Sequence, residues 1–261
     1  MSTGGAARDV DRTALVAYVL GLGDDALILA QRLAEWITRA PQIEEDIALG
    51  NIALDLLGQA RALLSYAGEI EGAGRDEDDL AFLRDERDFR NVHLVEIENG
   101  DFAVTMARQL IFSAYQVELY TGLLTSADPT LSALAAKAVK EVDYHRDHAT
   151  QWVLRLGDGT AESHDRMQAA LDQTWPYVEE LFDPAEAADT IAALPGIAAD
   201  PATFRPAWAT YVENVIAAAT ITVPTPNWRS RGGRIGFHSE NLGHLLPEMQ
   251  HLHRSHPGAT W

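Results

Sequence analysis

Four long runs of helix-forming residues, set out as two pairs with a charged segment between them, constrain this chain more than any other feature. A short apolar helix over Leu15–Leu20 precedes Gly21 and Gly23, which break the pattern. Asp24 then serves as the expected cap of the first long helix, running to about Ala40. Pro41 interrupts, and a second long helix is predicted from about Ile43 to Ala67, stopped by Gly68, Gly72 and Gly74. Residues 69–99 are acidic, with only a short helical pattern over Leu80–Phe89, and read as a connection traversing a bundle. Gly100 and Asp101 open a third long helix to about Leu124. After a turn at Asp128-Pro129, a fourth runs from about Leu131 to Leu156 and stops at Gly157-Asp158-Gly159.

Two helical hairpins joined by one long crossover is the topology of ferritin-like bundles, not of simple up-down-up-down bundles. The expectation is therefore an all-α, single ferritin-like domain: a core bundle over about 24–156 and a C-terminal helical extension over about 163–261. Helices in the extension are predicted at Ser163–Phe182, Phe204–Ala218 and Glu240–His253. Arg231-Gly-Gly-Arg-Ile-Gly lacks the Lys-Ser/Thr of a phosphate-binding loop and reads as a connector. Thirty-nine acidic residues against twenty basic ones leave a formal charge of −19, which disfavours nucleic acid and anionic membrane surfaces as partners. The absence of cysteine excludes disulfides, thiolate metal sites and cysteine nucleophiles. No apolar run approaches the ~20 residues of a membrane span, and residues 1–12 lack the apolar centre of a signal peptide, so the cytoplasm is the expected location.

Polar residues fall on faces that should be apolar. The second long helix is apolar nearly all round (Ile43, Ile47, Ile52, Leu54, Leu56, Leu57, Leu63, Leu64), which predicts burial on more than one side. Asn51, Asp55 and Gln59 nevertheless form an i, i+4, i+8 stripe on it. On the fourth helix, Leu134, Ala138, Glu141, His145, His148 and Trp152 step by three and four, the spacing of a packed seam. Glu118 shares a face of the third helix with Ile111, Ala114 and Tyr115 and is expected to point inward. Buried carboxylates need partners or metals, so these residues are the candidate site.

A carboxylate-bridged di-iron centre in such a bundle takes a Glu from each of two helices and a Glu-x-x-His from each of the other two. Here the corresponding positions read Gln31 or Ile28, Asp55-x-x-Gly58, Glu118 and Glu141-x-x-Tyr144. Both i+3 histidines are missing, and the available substitutes are His145 and His148. The expectation is a degenerate site: no catalytic residue, no metal in this chain, and Asp55, Glu118 and Glu141 held by mutual hydrogen bonds. Five of the nine histidines lie in the last 24 residues, but Glu248-x-x-His251 has no second such helix to complete a di-metal site.

Several blocks of sequence carry a resemblance. Asn51-Ile-Ala-Leu-Asp55-Leu-Leu-Gly-Gln-Ala60-Arg61, Glu86-Arg-Asp-Phe-Arg-Asn91, Asn99-Gly-Asp-Phe-Ala103 and Arg108-Gln-Leu are four of them. Lys140-Glu-Val-Asp-Tyr-His145, Arg155-Leu-Gly-Asp-Gly-Thr160, Trp175–Asp183, Arg231–His238 and the ending from Glu248-Met-Gln through Pro257-Gly-Ala-Thr-Trp261 complete the set. In this order they resemble the small structural subunits of bacterial phenylacetyl-CoA epoxidases over nearly the whole chain. The resemblance implies a ferritin-like paralogue of the catalytic oxygenase subunit that has lost iron ligands. It further implies a catalytic partner carrying di-iron, a further small subunit, and a separate reductase supplying electrons from NADPH through flavin and iron–sulfur centres. The competing readings are a stand-alone ferritin-like di-metal oxidase or oxygenase using Asp55, Glu118, Glu141, His145 and His148, and a ligand-binding helical module walled by Trp152 and neighbouring tyrosines.

Overall fold

The computed structural model describes residues 11–259, and among them every regular element is a helix. Most of the segment 1–12 and the final Thr260-Trp261 of the closing block lie outside the described residues. The first hairpin pairs α1 (Arg12–Ala34) with α2 (Ile43–Glu71). The crossover carries α3 (Glu77–Phe82), a 3₁₀ turn at Glu86–Asp88 and α4 (His93–Glu96). The second hairpin pairs α5 (Phe102–Leu123) with α6 (Pro129–Gly157). The extension follows as α7 (Ala161–Thr174), a 3₁₀ turn at Trp175–Tyr177, α8 (Val178–Phe182), α9 (Pro184–Ala193), α10 (Pro201–Ala218), a 3₁₀ turn at Gly233–Ile235 and α11 (Glu240–Ser255). Local chemistry fixes the starts: Asp101 accepts from the Val104 N–H at 3.1 Å, and Asp128 accepts from Thr130 and Leu131 N–H at 2.9 Å ahead of Pro129. The all-α, two-hairpin, ferritin-like architecture is as the sequence predicts.

The first helix departs from that reading. It is continuous through Gly21 and Gly23, is capped by Asp11, and ends at Ala34 instead of Ala40. The two glycines admit close neighbours: a Cβ at Gly21 would stand 3.0 Å from Arg234 Nη1, and one at Gly23 would stand 3.0 Å from Leu64 Cδ2. Asp24 is therefore no cap. It lies fully buried in the middle of α1. Likewise Gly68 does not stop α2, which runs on to Glu71 and ends at Gly72 (φ 66°), while a Cβ at Gly68 would lie 2.2 Å from the Arg75 carbonyl oxygen. Pro176 divides what reads as one helix over Ser163–Phe182, and α9 falls where no helix is predicted.

Burial is unequal between the hairpins. α5 is covered on all sides by α4, α6, α7 and α10, and its residues Ala103 to Val117 are buried without a break. Among the described residues, α2 is covered on one side only. Its inner face (Leu49, Ile52, Leu56, Leu63, Leu64) is buried, whereas Ile43, Ile47, Leu54 and Leu57 are 71%, 59%, 65% and 46% exposed. This corrects the expectation of burial on more than one side. The uninterrupted α1, together with α2, also has the length and composition of a membrane span, contrary to the reading of short apolar runs. α1 is nonetheless mostly covered by protein, and its buried Asp24 and Asp25 bind arginines in the fold.

Candidate functional site

α2 and α6 run antiparallel, and three polar bridges span their seam. His148 Nε2 lies 2.7 Å from Glu45 Oε2, His145 Nε2 lies 3.0 Å from Asp55 Oδ2, and Gln59 Nε2 donates to Glu141 Oε2 at 3.0 Å. Gln59 also accepts from the buried Tyr120 hydroxyl at 3.0 Å, and Lys137 Nζ approaches Glu141 at 3.5 Å from solvent. Burial pushes the His145 imidazole below the usual histidine range, against the hydrogen bond and charge of Asp55.

Asp55, Gln59, Glu141, His145 and His148 meet at one seam, but Glu118 does not join them and the bonds are not those expected. Asp55 and Glu141 are not bonded to each other. Each takes a different neutral or basic partner. No hydrogen bond or ion pair among the described residues reaches Glu118, which is half-buried. Gln31 is half-buried, Asn51 is exposed and Tyr144 is 50% exposed, so the i+3 position of α6 turns outward. At Gly58, the i+3 position of α2, an added Cβ would meet nothing within 4 Å. A di-iron centre needs two carboxylate–histidine pairs aimed at shared metals, and this donor set does not fit one. Trp152 packs edge-on against Phe102 at 4.9 Å and carries Arg155 over its ring. Glu248 and His251 lie exposed on α11.

A denser polar assembly lies elsewhere, where the crossover and the C-terminal loop close over α1. Asp24 accepts from Arg84 Nη1 at 3.0 Å and from the Arg90 N–H at 2.8 Å. Asp25 accepts from the Val92 N–H at 2.9 Å and from Arg234 at 2.6 Å, and burial pushes its carboxyl up to about 6 against those two donors. Glu180 of α8 takes both the N–H (2.8 Å) and the ring Nδ1 (2.8 Å) of His93, and the Gly233 N–H at 2.9 Å. Glu96 accepts from Asn91 Nδ2 (2.9 Å) and the Ser239 N–H (2.7 Å), and meets His238 Nδ1 at 2.8 Å. Burial opposes its ionisation, yet the hydrogen bond and charge of His238 leave its carboxyl below the usual range. The sequence reading missed this assembly because it took 69–99 for a mere connection traversing the bundle and 231–236 for a plain connector. A signal was present: two adjacent aspartates inside an apolar helix require buried cations or N–H donors.

Comparison with known proteins places these features. A family model described as "Phenylacetic acid catabolic protein" matches residues 2–261. The chain belongs to the phenylacetic acid catabolic protein family. Within it, the chain is 51% identical over 247 residues to the C subunit of the 1,2-phenylacetyl-CoA epoxidase of Escherichia coli (strain K12), covering 95% of this chain and 99% of that protein. The blocks that carry the family resemblance at 86–91, 175–183 and 231–238 each contribute residues to the assembly over α1.

Proposed function

We propose that this chain is a non-catalytic structural subunit of a multicomponent oxygenase that epoxidises the aromatic ring of phenylacetyl-CoA, pairing with a di-iron catalytic subunit in the cytoplasm. The similarity to an epoxidase subunit over nearly the full length of both chains supports membership of such a complex. The observation that carries the non-catalytic part is the α2–α6 seam: Gly58 offers no side chain, Tyr144 turns outward, and the carboxylates between them are each held by a protein partner. Dioxygen chemistry then belongs to the partner, fed by a reductase, with a further small subunit in the assembly.

The outer face of α2 supports the pairing. Ile43, Ile47, Gly50, Leu54 and Leu57 step by four and three, the seam spacing of a helix that packs against another, and among the described residues the four large ones stay exposed. A long helix of the catalytic paralogue fits that stripe, since both subunits share the bundle architecture under this reading. An apolar contact of this kind resists salt, whereas a charge-mediated one weakens. Coexpression with the catalytic subunit and size-exclusion chromatography at low and high salt provides the test. The complex should persist at both, and phenylacetyl-CoA should be oxygenated only by the recombined form. Comparable turnover by the isolated chain with reductase present would overturn the assignment.

A further inference from the structure

We propose that His93, Glu96 and His238 form a binding site for one divalent transition-metal ion of the zinc class, clamping the crossover to the C-terminal loop. The proposal is independent of the subunit reading and departs from the expectation of a metal-free chain. His93 and Glu96 stand one turn apart on α4, and His238 reaches them from the segment before α11. Ligand atoms of the three lie within 4.8 Å of one another, the only such group of three or more metal-ligating side chains among the described residues. His238 Nδ1 is 2.8 Å from Glu96 Oε2 and His93 Nε2 is 3.9 Å from Glu96 Oε1. Ligand atoms around tetrahedral zinc stand about 3.3 Å apart, so one contact opens and the other closes by about half an ångström.

Three further observations favour an ion over a simple hydrogen-bond cluster. First, the outward nitrogen of each imidazole is already fixed. His93 Nδ1 faces Glu180 Oε1 at 2.8 Å and His238 Nε2 faces the Phe89 carbonyl at 3.0 Å. Carboxylate and backbone carbonyl are the usual partners of a metal-bound histidine's second nitrogen, and they aim His93 Nε2 and His238 Nδ1 toward the same carboxylate. Second, Glu96 and Glu180 are 0% and 4% exposed, and among the described residues their ion pairs are with histidines alone. A divalent cation held by neutral imidazoles would balance both. Third, two buried oxygens beside Glu96 lack a hydrogen-bond partner. They are Asn91 Oδ1 and Ser239 Oγ, on residues whose Nδ2 and backbone N–H already bind the Glu96 carboxylate. Either oxygen supplies the fourth ligand, or the two hold a metal-bound water.

The test uses the full-length chain, stripped with chelator and titrated with Zn²⁺ against a chromophoric competitor, with Co²⁺ as a spectroscopic probe. The expected result is one zinc per chain with submicromolar affinity, a cobalt visible spectrum of four-coordinate character, and a rise in melting temperature. His93→Asn and His238→Gln should each abolish stoichiometric binding. Glu180→Gln, which keeps the ligands but weakens the positioning of His93, should reduce affinity about 10–100-fold. The histidines of α11 and beyond provide the control: with His244, His251, His253 and His256 all changed to Ala, one zinc should still bind. That variant keeps the proposal falsifiable even if the ligand variants fail to fold. Loss of the zinc in it would overturn the proposal, as would absence of binding tighter than about 10 µM in the unaltered chain, or undiminished binding in folded His93→Asn and His238→Gln.

Discussion

Asp24→Ala separates two physical roles for one residue by magnitude alone. As a helix cap, Asp24 would contribute roughly 1 kcal/mol, the cost of replacing a capping side chain by Ala. In the structure it is 0% exposed and accepts from Arg84 Nη1 and Nη2 and from the Arg90 N–H. Arg84 is itself only 4% exposed, with Phe89 beneath its guanidinium at 4.2 Å. Removing the carboxylate leaves that cation buried, with only the Leu80 and Asp88 carbonyls to receive it. Breaking one side of such a pair costs about 3–5 kcal/mol, a large share of the roughly 5–15 kcal/mol by which a domain is stable. Urea unfolding at pH 7, followed by circular dichroism with equal slopes required for both proteins, gives the difference directly. Asp24→Asn should fall between the two values, because it can still accept from Arg90 but leaves the Arg84 charge uncompensated. The double variant Asp24→Leu/Arg84→Met should recover most of the loss, since no charge then remains buried. A loss of about 1 kcal/mol for Asp24→Ala, or no recovery in the double variant, would refute the buried-pair account.

Other consequences are as direct. Gly21→Ala should destabilise by about 1–3 kcal/mol in the same assay, because its Cβ would crowd Arg234 Nη1 at 3.0 Å; an unobstructed helical glycine would instead gain from the change. Leu54→Ala/Leu57→Ala should leave the isolated chain's stability within about 0.5 kcal/mol but weaken association with the catalytic subunit by about 2 kcal/mol, near thirtyfold in Kd by calorimetry. An unchanged Kd would remove α2 from the interface. His145 carries a pH signature: its imidazole is held below the usual range when folded, so its contribution is complete above the unfolded value of about 6.5 and is lost as pH falls through the folded one. His145→Gln should therefore flatten the decline in stability between pH 8 and pH 5, and parallel profiles would count against the burial of that ring.

Helix-forming runs, Asp-Pro and Gly punctuation and the three-and-four spacing of apolar residues are local properties of a chain, and they were enough to give the all-α class, both hairpins and the faces that carry Asp55 and Gln59 on α2 and Glu141, His145 and His148 on α6. Spacing says which residues share a face, so the face was legible. It does not say which atoms bond across it, and the pairing of His148 with Glu45, instead of with the acids near it, depends on how far α2 slides along α6. The same limit explains Gly21, Gly23 and Gly68. A glycine that breaks a helix and one that admits a neighbour's side chain or carbonyl read identically until the neighbour is in place. Only the tertiary structure brings Arg84, Arg90 and Arg234 to Asp24 and Asp25, and His238 to Glu96 across 142 residues of chain, because these contacts are made by segments with little or no periodicity of their own. Their positions are set by long-range closure of the crossover over α1, where each buried charge had to find its counterpart or a backbone donor.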